Sequence, residues 1–340
     1  MQYRENNSGL HILEIEITKR CNLNCLHCYV GGNQKVDLEE TYIKKTIEQA
    51  NEMGVNRLVL TGGEPLLNKN VFTYAQYATK IGIPDIALLT NGTLLDETKA
   101  AQCKVFSGVQ MSLDGVPEKT GVLRKNYFTQ LERAIDLLRQ HHVSVTLYAT
   151  INKENLNDID LMIDYATQHD CTIAFNCLIP TKKELVSLVP SSQELRKVFT
   201  DIVSKIKINP HVRLSHHFRF LVDKQRMAEF EKILGNGISG GCLAGIAAGY
   251  VTAEGDFLPC PFICVSCGNI KNESLDDIWN NSSVLNVLRK RTAFKGKCGK
   301  CKFVNCCGGC RASSLYKYGE LDNSDDNCFL EEVESDNSSS

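Results

Sequence analysis

The chain has none of the features that would carry a protein across or into a membrane. Its N-terminus, Met1-Gln-Tyr-Arg-Glu-Asn-Asn7, lacks the apolar core of a secretory signal. No apolar run approaches the roughly 20 residues that span a bilayer. An excess of one charge is missing too. With 38 basic and 40 acidic side chains the net charge is −2, which gives no electrostatic case for nucleic acid or an anionic membrane. Phosphate-binding glycine loops, a serine-hydrolase elbow and internal repeats are all absent. These absences point to a cytoplasmic protein, in a compartment where thiols stay reduced.

Cysteine, by contrast, is abundant: 16 in 340 residues. A chain of this length, 43% hydrophobic, holds about two domains with a real core and does not need disulfide staples. Metal or iron–sulfur ligation is the better reading of reduced cysteines in such numbers. They are also unevenly placed, with three at 21–28 and ten at 242–328. Only Cys103, Cys171 and Cys177 fall between, each in an apolar or strand-like stretch, and they read as core thiols.

Residues 11–18 alternate apolar and polar and predict a strand. Further strands are predicted at 57–61, 86–90, 109–113, 143–151 and 172–177. Helical patterns lie between them at 38–53, 69–82, 94–103, 127–141 and 155–169, and beyond them near 192–207 and 218–234. Six alternating βα units argue for a parallel sheet curled into a partial (β/α)6 TIM-like barrel. In such folds ligands sit beyond the C-terminal ends of the strands. The run Asn236-Gly-Ile-Ser-Gly-Gly241 marks a boundary, after which short strands, turns and cysteines follow. We therefore expect a barrel domain over 1–235, a small cysteine-rich domain over 236–330 and an acidic, polar, disordered tail over 331–340.

The first cysteines form Cys21-x3-Cys25-x2-Cys28, directly after the first strand. Three thiolates on one loop can hold three irons of a four-iron cluster and leave the fourth open to a ligand; four thiolates close it. Gly62-Gly63-Glu64-Pro65 ends the next strand. Together these motifs resemble the radical S-adenosylmethionine superfamily, and the resemblance spans nearly the whole chain. It implies a four-iron, four-sulfur (4Fe-4S) cluster on Cys21, Cys25 and Cys28 that binds S-adenosylmethionine and cleaves it to a 5′-deoxyadenosyl radical. That radical abstracts a substrate hydrogen. The resemblance places His27 near the adenine, with a buried loop histidine as the plain alternative. It assigns Gly62, Gly63 and Glu64 to the methionine amino group, and Asn91, Ser112 and Asp114 to the ribose or the methionine carboxylate. The remaining histidines, His11, His141, His142, His169, His211, His216 and His217, match no ligand spacing and read as surface or core residues.

The second half carries Cys242-x12-Gly255-x4-Cys260, then Cys298-x2-Cys301-x5-Cys307-x2-Cys310, then Cys328. This resembles the SPASM extension, which holds two auxiliary 4Fe-4S clusters. By that resemblance Cys298, Cys301, Cys307 and Cys328 hold the distal cluster, and Cys242, Cys260 and Cys310 the proximal one. Cys306 is an alternative to Cys307. Cys264 or Cys267 is a candidate fourth ligand of the proximal cluster; without either, that cluster keeps an open iron. Two CxxC pairs also suit zinc, which leaves a non-catalytic zinc-binding module as a reading from another class.

The resemblance implies a radical enzyme supplied with electrons by a donor such as flavodoxin or ferredoxin. Its first expected substrate class is a ribosomally made peptide, to be cross-linked, oxidised or epimerised. The few residues before the first strand leave no room for a fused leader-peptide-binding domain. A peptide would then need the barrel itself or a separate leader-binding partner. A small molecule or a tetrapyrrole side chain is the second expected class.

Overall fold

The computed structural model describes residues 9–31, 34–116, 123–124, 127–234, 237–238, 240–331 and 333. The six expected strands are present: β1 (Ile12–Glu16), β2 (Arg57–Thr61), β3 (Asp85–Thr90), β4 (Gly108–Ser112), β5 (Val145–Ile151) and β6 (Thr172–Cys177). Between them run α1 (Glu40–Glu52), α2 (Val71–Ile81), α3 (Glu97–Gln102), α4 (Phe128–Gln140) and α5 (Ile159–Gln168). The helices form where apolar residues recur every three or four positions; α1 buries Ile43, Ile47 and Ala50 on one stripe. After β6 comes α6 (Ser192–Ile206), started by a capping box in which Ser191 and Glu194 bond each other's backbone N–H.

Three strands escaped the sequence pattern. β7 (Val212–Leu214) pairs with β6, β8 (Ala248–Val251) with β1, and β9 (Phe257–Leu258) with β8. The sheet order is β7-β6-β5-β4-β3-β2-β1-β8-β9, parallel except for the last pair. β8 comes from the cysteine-rich half, so that half is joined to the barrel's first strand by a shared hydrogen-bonded ladder. A three-residue strand and one reading Ala-Gly-Tyr-Val carry too little periodicity to be seen in sequence. The helix expected over 218–234 is instead a short 3-10 turn, His217–Leu221, followed by α7 (Lys224–Glu231). Asp223 restarts it by capping the Arg226 N–H. The boundary expected at 235/236, and the tail beyond 333, lie outside the described residues. Among the described residues no helix is long and apolar enough to cross a membrane.

The strands sort their side chains onto two faces. Val145, Leu147, Ala149 and Ile151 of β5 join the apolar core beneath the helices. On the other face Tyr148 meets Glu14, Arg57 and Arg213. Burial pushes the Glu14 carboxyl up to about 7, opposed by Arg57. Because the folded state holds this proton more tightly than the unfolded chain, Glu14 favours folding at acid pH. That contribution is lost as pH rises from about 4.5 to about 7. Glu14→Gln should therefore show a shallower loss of stability over that interval in denaturant titrations. An unchanged pH slope would remove this reading of Glu14.

Candidate active site

The three-cysteine loop is closed at its base by an antiparallel bridge between Thr18 and Asp37. Thr18 donates its hydroxyl to the Asp37 carboxylate, and the Lys19 N–H bonds the Val36 carbonyl at 2.8 Å. The end of β2 then grips the segment that enters the loop. Gly63 N–H donates to Thr18 O at 2.7 Å and Glu64 N–H to Arg20 O at 2.7 Å. A β-carbon on Gly62 would stand 2.5 Å from Thr18 O, and one on Gly63 2.5 Å from Arg20 O. The two glycines are thus required by backbone contact at the loop's root.

Cys21, Cys25 and Cys28 emerge half-buried from this root. Leu23 N–H lies 3.4 Å from Cys21 Sγ and Asn91 Nδ2 3.9 Å from it. Both Cys21 and Cys25 feel the charge of Cys28, so the three thiols share one electrostatic environment. Burial pushes Cys25 up to about 11, opposed by the Arg124 guanidinium. Thiols so placed ionise when a metal's positive charge reaches them.

The residues expected to bind S-adenosylmethionine bond one another and the cysteine loop. Glu64 is fully buried, and its carboxylate accepts from Leu66 N–H (3.0 Å), Thr90 Oγ1 (2.6 Å) and Asn91 N–H (2.8 Å). The carboxylate therefore clamps β2 to β3. Asn91 bonds Asn22 Oδ1 at 3.0 Å across to the cysteine loop. Ser112 Oγ and Asp114 Oδ2 both accept from one side chain, Arg124, at 2.9 and 3.1 Å. The His27 ring stands 3.7 Å from the same Asp114 oxygen; burial pulls its pKa down, against Asp114, and leaves it neutral. Asp114 Oδ1 is buried with no hydrogen-bond partner among the described residues. An acceptor stranded in that way suits a hydroxyl of a bound nucleotide.

Sequence reasoning missed Arg124 and Tyr127. Burial would lower the Arg124 pKa, but Asp114 and Cys25 outweigh it and hold the cation firmly charged. Tyr127 accepts the Asp114 N–H at 2.9 Å. Neither belongs to a motif that spacing could reveal.

The second half gathers its thiols in two places. Cys298, Cys301, Cys307 and Cys328 together line a cavity of about 410 Å³. Cys307, and not Cys306, faces that cavity; Cys306 is buried and bonds the Phe303 carbonyl through its N–H at 2.9 Å. Backbone N–H groups point at the sulfurs: Phe303 to Cys301 at 3.4 Å, Gly309 to Cys307 at 3.4 Å and Asp325 to Cys298 at 3.3 Å. Cys242, Cys260 and Cys310 form the other group, mutually coupled and packed with Ile179 and Phe262. Cys264 is exposed, between Ile263 and Val265 of the same apolar cluster, and Cys267 lies apart, against Ser282 and Arg289. Among the described residues no three Cys, His, Asp or Glu side chains converge on a point that would hold one metal ion. A four-iron cluster spreads its thiolates over separate irons. The donor sets present therefore suit clusters.

Comparison with known proteins agrees. The radical SAM superfamily profile matches residues 15–166, and the SPASM iron–sulfur cluster-binding domain profile matches residues 242–307. An AdoMet-dependent heme synthase of Methanosarcina barkeri is 30% identical over 324 residues, spanning 90% of this chain and 92% of that protein. The chain belongs to the radical SAM superfamily, with a C-terminal SPASM domain. It is a radical SAM enzyme, and its cofactors are 4Fe-4S clusters and S-adenosylmethionine. The mycofactocin maturase MftC of Mycobacterium tuberculosis is 24% identical over 328 residues, 92% of this chain and 81% of that protein. Among solved structures, Streptococcus suis SuiB bound to precursor peptide SuiA superposes with a TM-score of 0.75 at 17% identity, covering 95% of this chain and 76% of SuiB. That likeness shows the radical SAM–SPASM fold: a partial barrel followed by the cysteine-rich domain.

The clamp at the loop's root can be tested. Gly63→Ala should abolish the first cluster, lowering iron from about twelve to about eight per chain if each of three sites holds four. Gly108→Ala, whose added carbon meets nothing nearer than 3.4 Å, should keep full iron. A Gly63→Ala protein with unchanged iron would refute the clamp.

Proposed function

We propose that this radical SAM enzyme takes a hydrogen atom from a carboxylate-bearing side chain of a tetrapyrrole. The observation that carries the reading is the 30% identity to a heme synthase, which extends through nine tenths of both chains. The mouth supports it chemically. Leu26, Leu123, Arg124 and Lys182 line a cavity of about 570 Å³ beside Cys25. Apolar walls with two cations match a flat ring that carries carboxylates.

When bound, the first cluster and S-adenosylmethionine together supply a carbon radical able to remove an unactivated hydrogen. The chain's own residues set the stage for it. Cys21, Cys25 and Cys28 hold three irons, and Asn91 and Leu23 N–H steady the Cys21 sulfur. Ser112 and Asp114 fix the Arg124 guanidinium, leaving it in place to receive a carboxylate. The auxiliary thiol sets would hold clusters able to accept an electron from a substrate radical, and the first cluster would take its electron from a ferredoxin- or flavodoxin-type donor.

A peptide substrate is the second reading, favoured by the match to the maturase MftC over 92% of this chain. Anaerobic incubation should decide between them. An iron tetrapyrrole deuterated on its carboxyalkyl side chains should pass label to 5′-deoxyadenosine. Transfer from a deuterated peptide, with none from the tetrapyrrole, would overturn the proposal.

A further inference from the structure

The proximal auxiliary group has three cysteine-rich-domain thiols, Cys242, Cys260 and Cys310; Cys267 stands apart, against Ser282 and Arg289, and Cys264 is exposed. A segment of the barrel approaches instead. Leu178 N–H bonds the Ile151 carbonyl at 3.0 Å, so the ladder with β5 continues one residue past the end of β6. Beyond it Ile179 packs into the apolar cluster that contains Cys242, Cys260 and Cys310. Leu178 goes the other way, into a separate cluster with Leu123 and Leu185. Alternation along an extended chain puts Cys177 on the Ile179 side, where it packs at the edge of the main core within electrostatic reach of Asp325 and Cys310. The Asp325 carboxylate takes the Cys310 N–H at 2.7 Å and the His217 ring at 3.2 Å. His217 follows β7, the strand paired with β6. The end of β6 and Cys310 are thus tied to one neighbourhood from two directions.

We propose that Cys177 is the fourth thiolate of the proximal auxiliary cluster, which is therefore held jointly by barrel strand β6 and the SPASM domain. The inference rests on the iron–sulfur assignment and is independent of the substrate. Forming the iron–sulfur bond would release the thiol's proton, since a bound metal's charge favours the thiolate. With four thiolates the proximal cluster is closed. Substrate then cannot ligate it, and its role is confined to electron transfer and to locking the domain onto the barrel.

The test uses the full chain with Cys21→Ala, Cys25→Ala and Cys28→Ala, which leaves only auxiliary clusters, about eight irons. Adding Cys177→Ala should give a three-iron paramagnetic resonance signal on mild oxidation and the loss of about one iron. Cys177→Ser, offering oxygen in place of sulfur, should keep the four-iron cluster with a shifted reduction potential and altered Mössbauer parameters. Cys171→Ala, a buried thiol just before the same strand, should match the parent in both readings. If Cys177→Ala keeps the parent's iron and resonance spectrum, or if Cys264→Ala or Cys267→Ala produces the three-iron signal instead, the assignment is wrong. Should Cys177→Ala lose its circular dichroism, the serine variant decides: parent-like Mössbauer parameters and potential would overturn the proposal.

Discussion

Everything at the active site depends on one close backbone contact, where Gly62 and Gly63 lie against Thr18 and Arg20. Strand β2 must end without side chains there, because a β-carbon at either position would meet a carbonyl oxygen at 2.5 Å. The contact lets Gly63 and Glu64 donate hydrogen bonds to the chain entering the cysteine loop. The buried Glu64 carboxylate passes the constraint on to β3 through Thr90 and Asn91, and Asn91 returns it to the loop through Asn22 and Cys21. The motif is thus a mechanical closure around the first thiolate, in which three strand ends fix one loop.

Electrostatics is organised around Arg124 in the same way. One guanidinium serves Ser112 and Asp114 by direct bonds and opposes the burial of Cys25. A buried cation beside three thiols offsets part of the negative charge that a thiolate-bound cluster brings into a half-buried site. In the SPASM domain, buried Arg291 and Arg311 brace the two cysteine sets. Arg291 donates to the Gly240, Asn305 and Cys242 carbonyls, and Arg311 to those of Leu321 and Asn323. Most of these carbonyls belong to irregular segments, where side-chain donors take the place of a regular backbone ladder.

What could be read from the sequence was whatever repeats or keeps a fixed spacing. Cys21, Cys25 and Cys28, the Gly62–Pro65 turn and six strands announced themselves by period and interval. Contacts between distant segments did not. Strand β8 pairs with β1 across more than two hundred residues, and Arg124 reaches Asp114 and Ser112 from a stretch without a motif. His217 matched no ligand spacing, yet it holds the Asp325 carboxylate beside Cys310. Of the CxxC at 264–267, offered by interval as the source of one fourth ligand, Cys267 lies against Ser282 and Arg289. Glu64 shows the converse: the sequence marks the residue clearly, while its role emerges only from the three donors around its carboxylate.

The central claim is that the Cys21–Cys28 loop, with three thiolates, leaves one iron open to the amino and carboxylate groups of S-adenosylmethionine. Paramagnetic resonance of the anaerobically reduced protein, titrated with S-adenosylmethionine, tests it most directly. The account predicts that one cluster signal changes shape on titration and that this component is missing from the Cys21→Ala protein. Reduced clusters whose spectra are all indifferent to S-adenosylmethionine would contradict it.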